Sequence, residues 1–305
     1  MNILSLFDGI SCGQLALNRA GIKYSKYYAS EIDKHAIKVT QHNYPNTIQI
    51  GDVTKINGSD LPKIDIILGG SPCQGFSTSG KGLNFEDPRS KLFFEFVRLL
   101  KECPTTYFLL ENVVMKQEYQ DIISNHLGVQ PILIDSALVS AQMRKRLYWT
   151  NIPNVAQPTD KGIKLKDILE DIEMTGPSAI RGRYINKATI TGRRLNSIGK
   201  REDYNREISI VQCLEVKASN RDKCNCLTTV DKDNVLTNLP IGRHPDAFGN
   251  KLPFRYYTLK ECCRLQTLPD DYLNCISISQ AKKCIGNGWT VDVIAHILSH
   301  IKKMI

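Results

Sequence analysis

No window of this 305-residue chain approaches the roughly 20 consecutive apolar residues that a membrane helix needs, so no membrane association is expected. Its ten cysteines include no paired C-x-x-C: Cys224/Cys226 and Cys262/Cys263 are spaced wrongly for zinc knuckles, and no metal is expected. The start, MNILSLFDGI, has no basic n-region and runs straight into a strand-and-turn pattern, so no signal peptide is expected. The thiols then read as reduced and mostly buried as small hydrophobes, with one exception taken up below. Internal repeats and low-complexity tracts do not stand out. Acid excess is also missing: the net charge is +9 and the pI about 9.0, which suits an anionic partner without identifying one.

What is present is a strong alternation. NILSLF, KYYAS, TIQIGDV and IDIILGG read as strands, and GQLALNRAG and KHAIKVTQHNY as the helices between the first of them. SKLFFEFVRLLKE is a further helix, TYFLLENV a strand, YQDIISNHL a helix, and QPILIDSALV and RLYWTNI strands. Alternating strands and helices predict an α/β fold with a doubly wound, mostly parallel sheet. The pattern breaks near Asn151. Residues 181–206 then carry eight Lys/Arg against two acids, with glycines and aromatics interleaved. Helical patterns return after Phe254. The chain therefore reads as a large domain over 1–155, an irregular basic insertion over 156–254, and a segment over 255–305 returning to the first domain.

Chemistry-bearing residues fall at the ends of the predicted strands. LFDGISCG opens the first helix but is not G-x-G-x-x-G, because Ser11 and Cys12 stand where a dinucleotide loop wants glycine. Taken alone it is equally a ligand loop or a simple tight turn. Glu31 ends the second strand, 23 residues after Asp8, near the separation at which an acid meets ribose hydroxyls. Asp52 ends the third. Each acid alone reads as a cap, but three polar groups on one sheet edge point to an adenosine-containing cofactor. S-adenosylmethionine is favoured over NAD because the pyrophosphate loop is missing. Cys73 follows the fourth strand and Glu111 closes the next, with Arg144 and Arg146 entering another. A thiol, an acid and arginines on neighbouring strand ends make a candidate nucleophilic site; a redox or structural cysteine leaves the acid and arginines unexplained.

The set LFDGISCG, GGSPCQGFSTSGKG, DPRSKLFFEFVRLL, ENV, QMRKRLYW and CIGNGWTVDVI resembles the cytosine carbon-5 DNA methyltransferases, in that family's order. The likeness covers roughly residues 1–150 and the last fifty. The wording of SLFDGI, GGSPC, KLFFEF and ENVV is similar to the de novo eukaryotic branch, while the compact length resembles bacterial or phage enzymes. Two departures stand out: Ser11 and Cys12 replace glycines of the first motif, and Gly288 and Trp289 replace small or aliphatic residues. Trp289 either stacks beside the cofactor or packs the returning helix.

The resemblance implies transfer of a methyl group from S-adenosylmethionine to a cytosine flipped out of duplex DNA. It implies Cys73 as the nucleophile at carbon 6, Glu111 on ring nitrogen 3 and the exocyclic amine, and Arg146, with Arg144 nearby, on the base oxygen. The cofactor would be held by Phe7, Asp8, Gly9, Ile10, Ser11, Glu31, Ile32, Asp52, Val53, Gly70, Pro72, Leu92, Asn287, Gly288 and Trp289. DNA would meet Gln74, Ser77, Arg181, Arg183, Arg193 and Arg194, the arginines lying in a small target-recognition region. A tRNA cytosine methyltransferase, a catalytically silent DNA-binding relative and a thiol redox enzyme are the rival readings. A monomer in the cytoplasm of a bacterial or phage-infected cell is expected, with a cognate restriction endonuclease as candidate partner.

Overall fold

A computed structural model describes residues 1–72, 88–171, 186–217, 222–230, 233–249, 252 and 254–302. Its first half follows the alternation: β1 (Asn2–Leu6), α1 (Cys12–Ala20), β2 (Lys26–Ser30), α2 (Lys34–Asn43), β3 (Ile48–Gln49), β4 (Ile66–Gly69), α3 (Pro88–Glu102), β5 (Tyr107–Val113), α4 (Gln117–Leu127), β6 (Ile132–Asp135) and β7 (Lys145–Thr150). These strands form one seven-stranded sheet in the order β3-β2-β1-β4-β5-β7-β6. Pairing is parallel from β3 to β5, and β7 runs antiparallel between β5 and β6.

The central strands are apolar on both faces because both faces are covered. Ile3, Ile66 and Leu68 point into one core, with Ala16 and Leu17 of α1. Leu4, Leu6 and Ile67 point into the other, with Phe93 and Phe96 of α3. Full burial of each such side chain contributes roughly 1.5–3 kcal/mol. Trp149 of β7 is wholly buried and donates its indole N–H to Ser124 Oγ of α4 at 3.0 Å.

After the short α5 (Leu165–Ile168), the region expected to be irregular carries a second sheet. It is built from β8 (Asn186–Arg194), β9 (Ile210–Val216), β10 (Val235–Thr237), β11 (Gly242–His244) and β12 (Arg255–Tyr256), in the antiparallel order β11-β9-β8-β10-β12. Ala188, Ile190, Leu214, Val216 and Val235 form its small core. The segment around Cys224 stitches it to the first domain: Cys224 N–H donates to Ala141 O at 2.8 Å, and Lys223 Nζ to Ser140 O at 3.0 Å.

The last segment holds α6 (Leu259–Leu265), α7 (Ile278–Asn287) and α8 (Val291–Lys302). Val291, Ile294, Ile297 and Leu298 of α8 share a core with Ala16 and Leu17 of α1. Arg19 at the end of α1 pairs with Asp292 at the start of α8 at 2.6 Å. Among the described residues no helix is long and apolar enough to cross a membrane. The nine described cysteines are free thiols, seven of them buried.

Candidate active site

The carboxyl-terminal ends of the parallel strands open onto a cleft of about 330 Å³. Strand ends of an open α/β sheet are where backbone groups and loops converge on a ligand. Phe7, Gly9 and Ile10 line it from the loop after β1, Glu31 from the end of β2, and Gly70, Ser71 and Pro72 from the end of β4. Glu111, Asn112 and Val113 come from β5, Arg146 from the start of β7 and Arg144 from just before it, and Asn287 and Gly288 from the end and cap of α7. Sequence reasoning missed Asp33, Ala36, Ser71, Asn112, Val113, Lys283, Cys284 and Gly286, which also line it. Asn112 was legible within ENV, and its Nδ2 donates to Ser71 Oγ at 3.2 Å. Lys283 had no signal; its Nζ sits 3.5 Å from Asp33 Oδ2.

The loop after β1 is tightly wound. Phe7, Gly9 and Ser11 all have left-handed φ values, of 57°, 60° and 60°. For the two non-glycine residues that conformation costs about 1–2 kcal/mol each, so the surroundings must hold it. Ser11 is fully buried and its hydroxyl donates to Asp8 Oδ2 at 2.7 Å, while Tyr27 Oη donates to Asp8 Oδ1 at 2.7 Å. Tyr272 Oη, from the C-terminal segment, donates to Ile10 O at 2.8 Å. Asp8 therefore points beneath the loop, and burial pushes its pKa up to about 6 despite the hydrogen bonds from Ser11 and Tyr27. Burial pushes the Cys12 thiol up to about 12, so it remains protonated.

Glu31 is held open-handed toward the cleft. Its Oε2 accepts Gly9 N–H at 2.8 Å, and its Oε1 accepts the N–H groups of Ile32 and Asp33 at 2.8 and 2.9 Å. A carboxylate has about four acceptor sites, so one remains for a ligand hydroxyl. The Ile32 side chain is exposed and Val53 is buried in the core. Asp52 caps the turn after β3 by accepting Thr54 N–H at 3.0 Å, which lowers its pKa. Leu92 is half-buried on α3 against the core. These residues, with Asp8, Ser11 and Trp289, are not among those lining the cleft.

At the other end of the cleft, Arg146 Nε meets Glu111 Oε1 at 3.0 Å, with side chains only 16% and 12% exposed. Burial pulls the Arg146 pKa down, but Glu111, Cys226 and Tyr148 outweigh it and the net shift is upward. Trp289 Nε1 donates to Glu111 Oε2 at 3.1 Å. Arg144 is buried and turned inward. Its guanidinium donates to Leu227 O at 3.0 Å, Gly286 O at 3.2 Å and Gly288 O at 3.0 Å, and reaches Cys226 Sγ at 3.2 Å.

Cys73, Gln74, Ser77, Arg181 and Arg183 lie outside the described residues. Cys73 is the residue bonded to cleft-lining Pro72. Arg193 and Arg194 end β8. Arg193 is tied to Glu215 at 2.9 Å and to Asp203 at 3.8 Å, so a phosphate there would compete with two carboxylates.

A model of the family described as C-5 cytosine-specific DNA methylase matches residues 1–303. The type II methyltransferase M1.ScrFI of Lactococcus lactis subsp. cremoris is 29% identical over 310 residues, covering 96% of this chain and 75% of that protein. The orphan methyltransferase M.Rho11sI of Bacillus phage rho11s is 44% identical over 115 residues, 37% of this chain; that match spans 23% of the phage protein's length. The structure of the Entamoeba histolytica methyltransferase EhMeth superposes with a TM-score of 0.72 at 16% identity, covering 100% of this chain and 98% of that one. At that identity the likeness shows the shared fold.

Proposed function

The chain belongs to the C-5 cytosine-specific DNA methylase family, and from that premise we propose that it transfers a methyl group from S-adenosylmethionine to carbon 5 of a cytosine in duplex DNA. The observation that carries this reading is the Glu111–Arg146 pair beside Pro72, on the same cleft as Glu31 and the glycine loop. Its setting is the cytoplasm of a bacterial or phage-infected cell, with a cognate endonuclease as partner.

The cleft fits the cofactor. Its volume is in the range of small-molecule sites, its lining mixes apolar and polar groups, and Glu31 retains acceptor capacity for a ribose hydroxyl. Gly9 has open space where a side chain would stand, so its backbone can approach a ligand closely. Phe7, Gly9, Ile10, Glu31, Gly70, Pro72, Asn287 and Gly288 would hold it. When bound, it supplies an electrophilic methyl group on a sulfonium.

Cytosine carbon 5 is a weak nucleophile, because the ring is aromatic and electron-poor. The Cys73 thiolate forms a bond to carbon 6 and turns the ring into an enamine whose electron density sits on carbon 5. Glu111 bonds the pyrimidine edge at nitrogen 3 and the exocyclic amine, which holds the base and eases charge build-up on the ring. Arg146, already fixed to Glu111, donates to the base oxygen. Once carbon 5 has taken the methyl group, loss of the carbon-5 proton and β-elimination of the Cys73 sulfur from carbon 6 restore the aromatic ring and release the thiolate. The target atom is buried in a duplex, so the base must leave the stack at a cost of a few kcal/mol.

Nucleoside mass spectrometry after incubation with S-adenosylmethionine, on duplex DNA and on tRNA in parallel, tests the proposal. 5-Methylcytosine in the DNA is expected. Product confined to tRNA would replace the substrate, and no product in either would overturn the activity.

A further inference from the structure

The turn between α7 and α8 brings Trp289 to Glu111 across 178 residues of sequence. Glu111 thus has a partner at each oxygen: the Arg146 guanidinium in an ion pair with Oε1 at 3.0 Å, and the Trp289 Nε1–H donating to Oε2 at 3.1 Å. The surroundings are shaped for the indole. A Cβ at Gly70 would stand 2.8 Å from Trp289 Nε1 and 3.3 Å from Glu111 Oε2, so a bare glycine is what lets the ring reach the carboxylate. Arg144 and Gln266 both donate to Gly288 O, at 3.0 and 3.3 Å, and Gln266 also donates to Ile285 O at 3.0 Å. The backbone that carries Trp289 is therefore held from two sides.

We infer that Trp289 is a positioning residue for Glu111, and that Arg144 acts through the same turn. The inference rests on the reading of Glu111 as the group that binds the base. An arginine beside a carboxylate tends toward a two-pronged pairing in which both oxygens face the guanidinium. Such a pairing would draw Oε2 as well as Oε1 onto the guanidinium and leave fewer Glu111 lone pairs for a base. The Trp289 N–H holds Oε2 back and keeps the free lone pairs of Glu111 turned to the site where a base would enter. Trp289 thus stands in contact with the acid, and the cofactor-stacking role is not needed to account for it.

Trp289→Phe keeps the ring and deletes the N–H. Losing one hydrogen bond to a charged group should lower kcat about tenfold, with KM for DNA and for S-adenosylmethionine within about twofold of the parent. In a Glu111→Gln background the same change should have little further effect. A kcat within twofold of the parent, or a loss confined to the cofactor KM, would overturn the inference. A second readout does not depend on turnover. The chain has two tryptophans, and Trp149 is buried on the far side against Ser124, so the emission difference between parent and Trp289→Phe isolates Trp289. Glu111→Ala should shift that emission, and an unchanged spectrum would refute the contact. If the parent methylates no nucleic acid, the activity proposal fails, while the emission experiment still decides whether Trp289 holds Glu111.

Discussion

Asp8→Asn separates the cost of burying a carboxylate from the benefit of the hydrogen bonds around it. Asp8 lies under the loop that walls the cleft, with Ser11 and Tyr27 donating to its two oxygens. Burial lifts its pKa from an ordinary 3.8 to about 6, with the nearby Glu31 charge adding a little. The folded state therefore binds the Asp8 proton more tightly than the unfolded chain. Stability from that proton is fully present below about pH 4 and is lost as pH rises through 6. The gap corresponds to ~3 kcal/mol, of which about 2 kcal/mol falls between pH 4.5 and 7.5. Asparagine carries no such proton. Urea unfolding of parent and variant across that window should show the parent losing about 2 kcal/mol relative to the variant as pH rises. Parallel curves would refute the claim that burial dominates this carboxylate. The variant also presents an amide to two hydroxyl donors, so a constant offset of about 1–2 kcal/mol is expected on top of the slope.

Further outcomes follow from other contacts. Cys73→Ala should abolish methyl transfer while leaving S-adenosylmethionine affinity, read by calorimetry, nearly intact; transfer at the parent rate would remove the nucleophile role. Gly70→Ala should drive its Cβ against the Trp289 indole and cost about 1–3 kcal/mol of stability together with most of the turnover. Thermal melting and kcat would check it, and normal values for both would mean the ring moves freely. Glu261 is wholly buried and accepts from Arg255 through two bonds of 2.7 Å, and from the N–H groups of Thr258 and Glu170 at 2.9 Å. Burial raises its pKa, but Arg255 and the backbone donors outweigh that and hold it low. Its stability contribution is therefore present at neutral pH and lost as pH falls through the depressed value. Glu261→Gln should cost about 3–5 kcal/mol in denaturant unfolding, because Arg255 keeps an uncompensated charge.

Much of this architecture can be read from period and punctuation. IDIILGG is apolar on both faces because β4 sits mid-sheet, and Glu31 directly follows the end of β2, whereas Glu111 lies inside β5, which runs two residues further. The five-stranded sheet of the insertion is harder to read. β10, β11 and β12 have two or three residues each, too few for alternation to show, and their pairing depends on partners distant in sequence. Side-chain direction is also hidden. Asp8 and Glu31 both end a strand, yet one turns under the loop and the other lines the cleft, a difference decided by Tyr27 and Ser11. Arg144 and Arg146 look alike in QMRKRLYW. Only the folded chain shows that the first grips backbone carbonyls of the C-terminal turn and the second meets the acid.

The separation of 178 positions between Glu111 and Trp289 has a consequence for biosynthesis. At ribosomal rates of 5–20 residues per second, Trp289 is made on the order of 10–30 s after Glu111. Through that interval a nascent chain can build most of its parallel sheet, yet the acid has only its ion pair with Arg146, and Tyr272, which pins the Ile10 carbonyl, has been made only near the end. If Trp289 positions Glu111 as proposed, competence for chemistry arrives with the late-made α7–α8 turn, well after the sheet that carries the site.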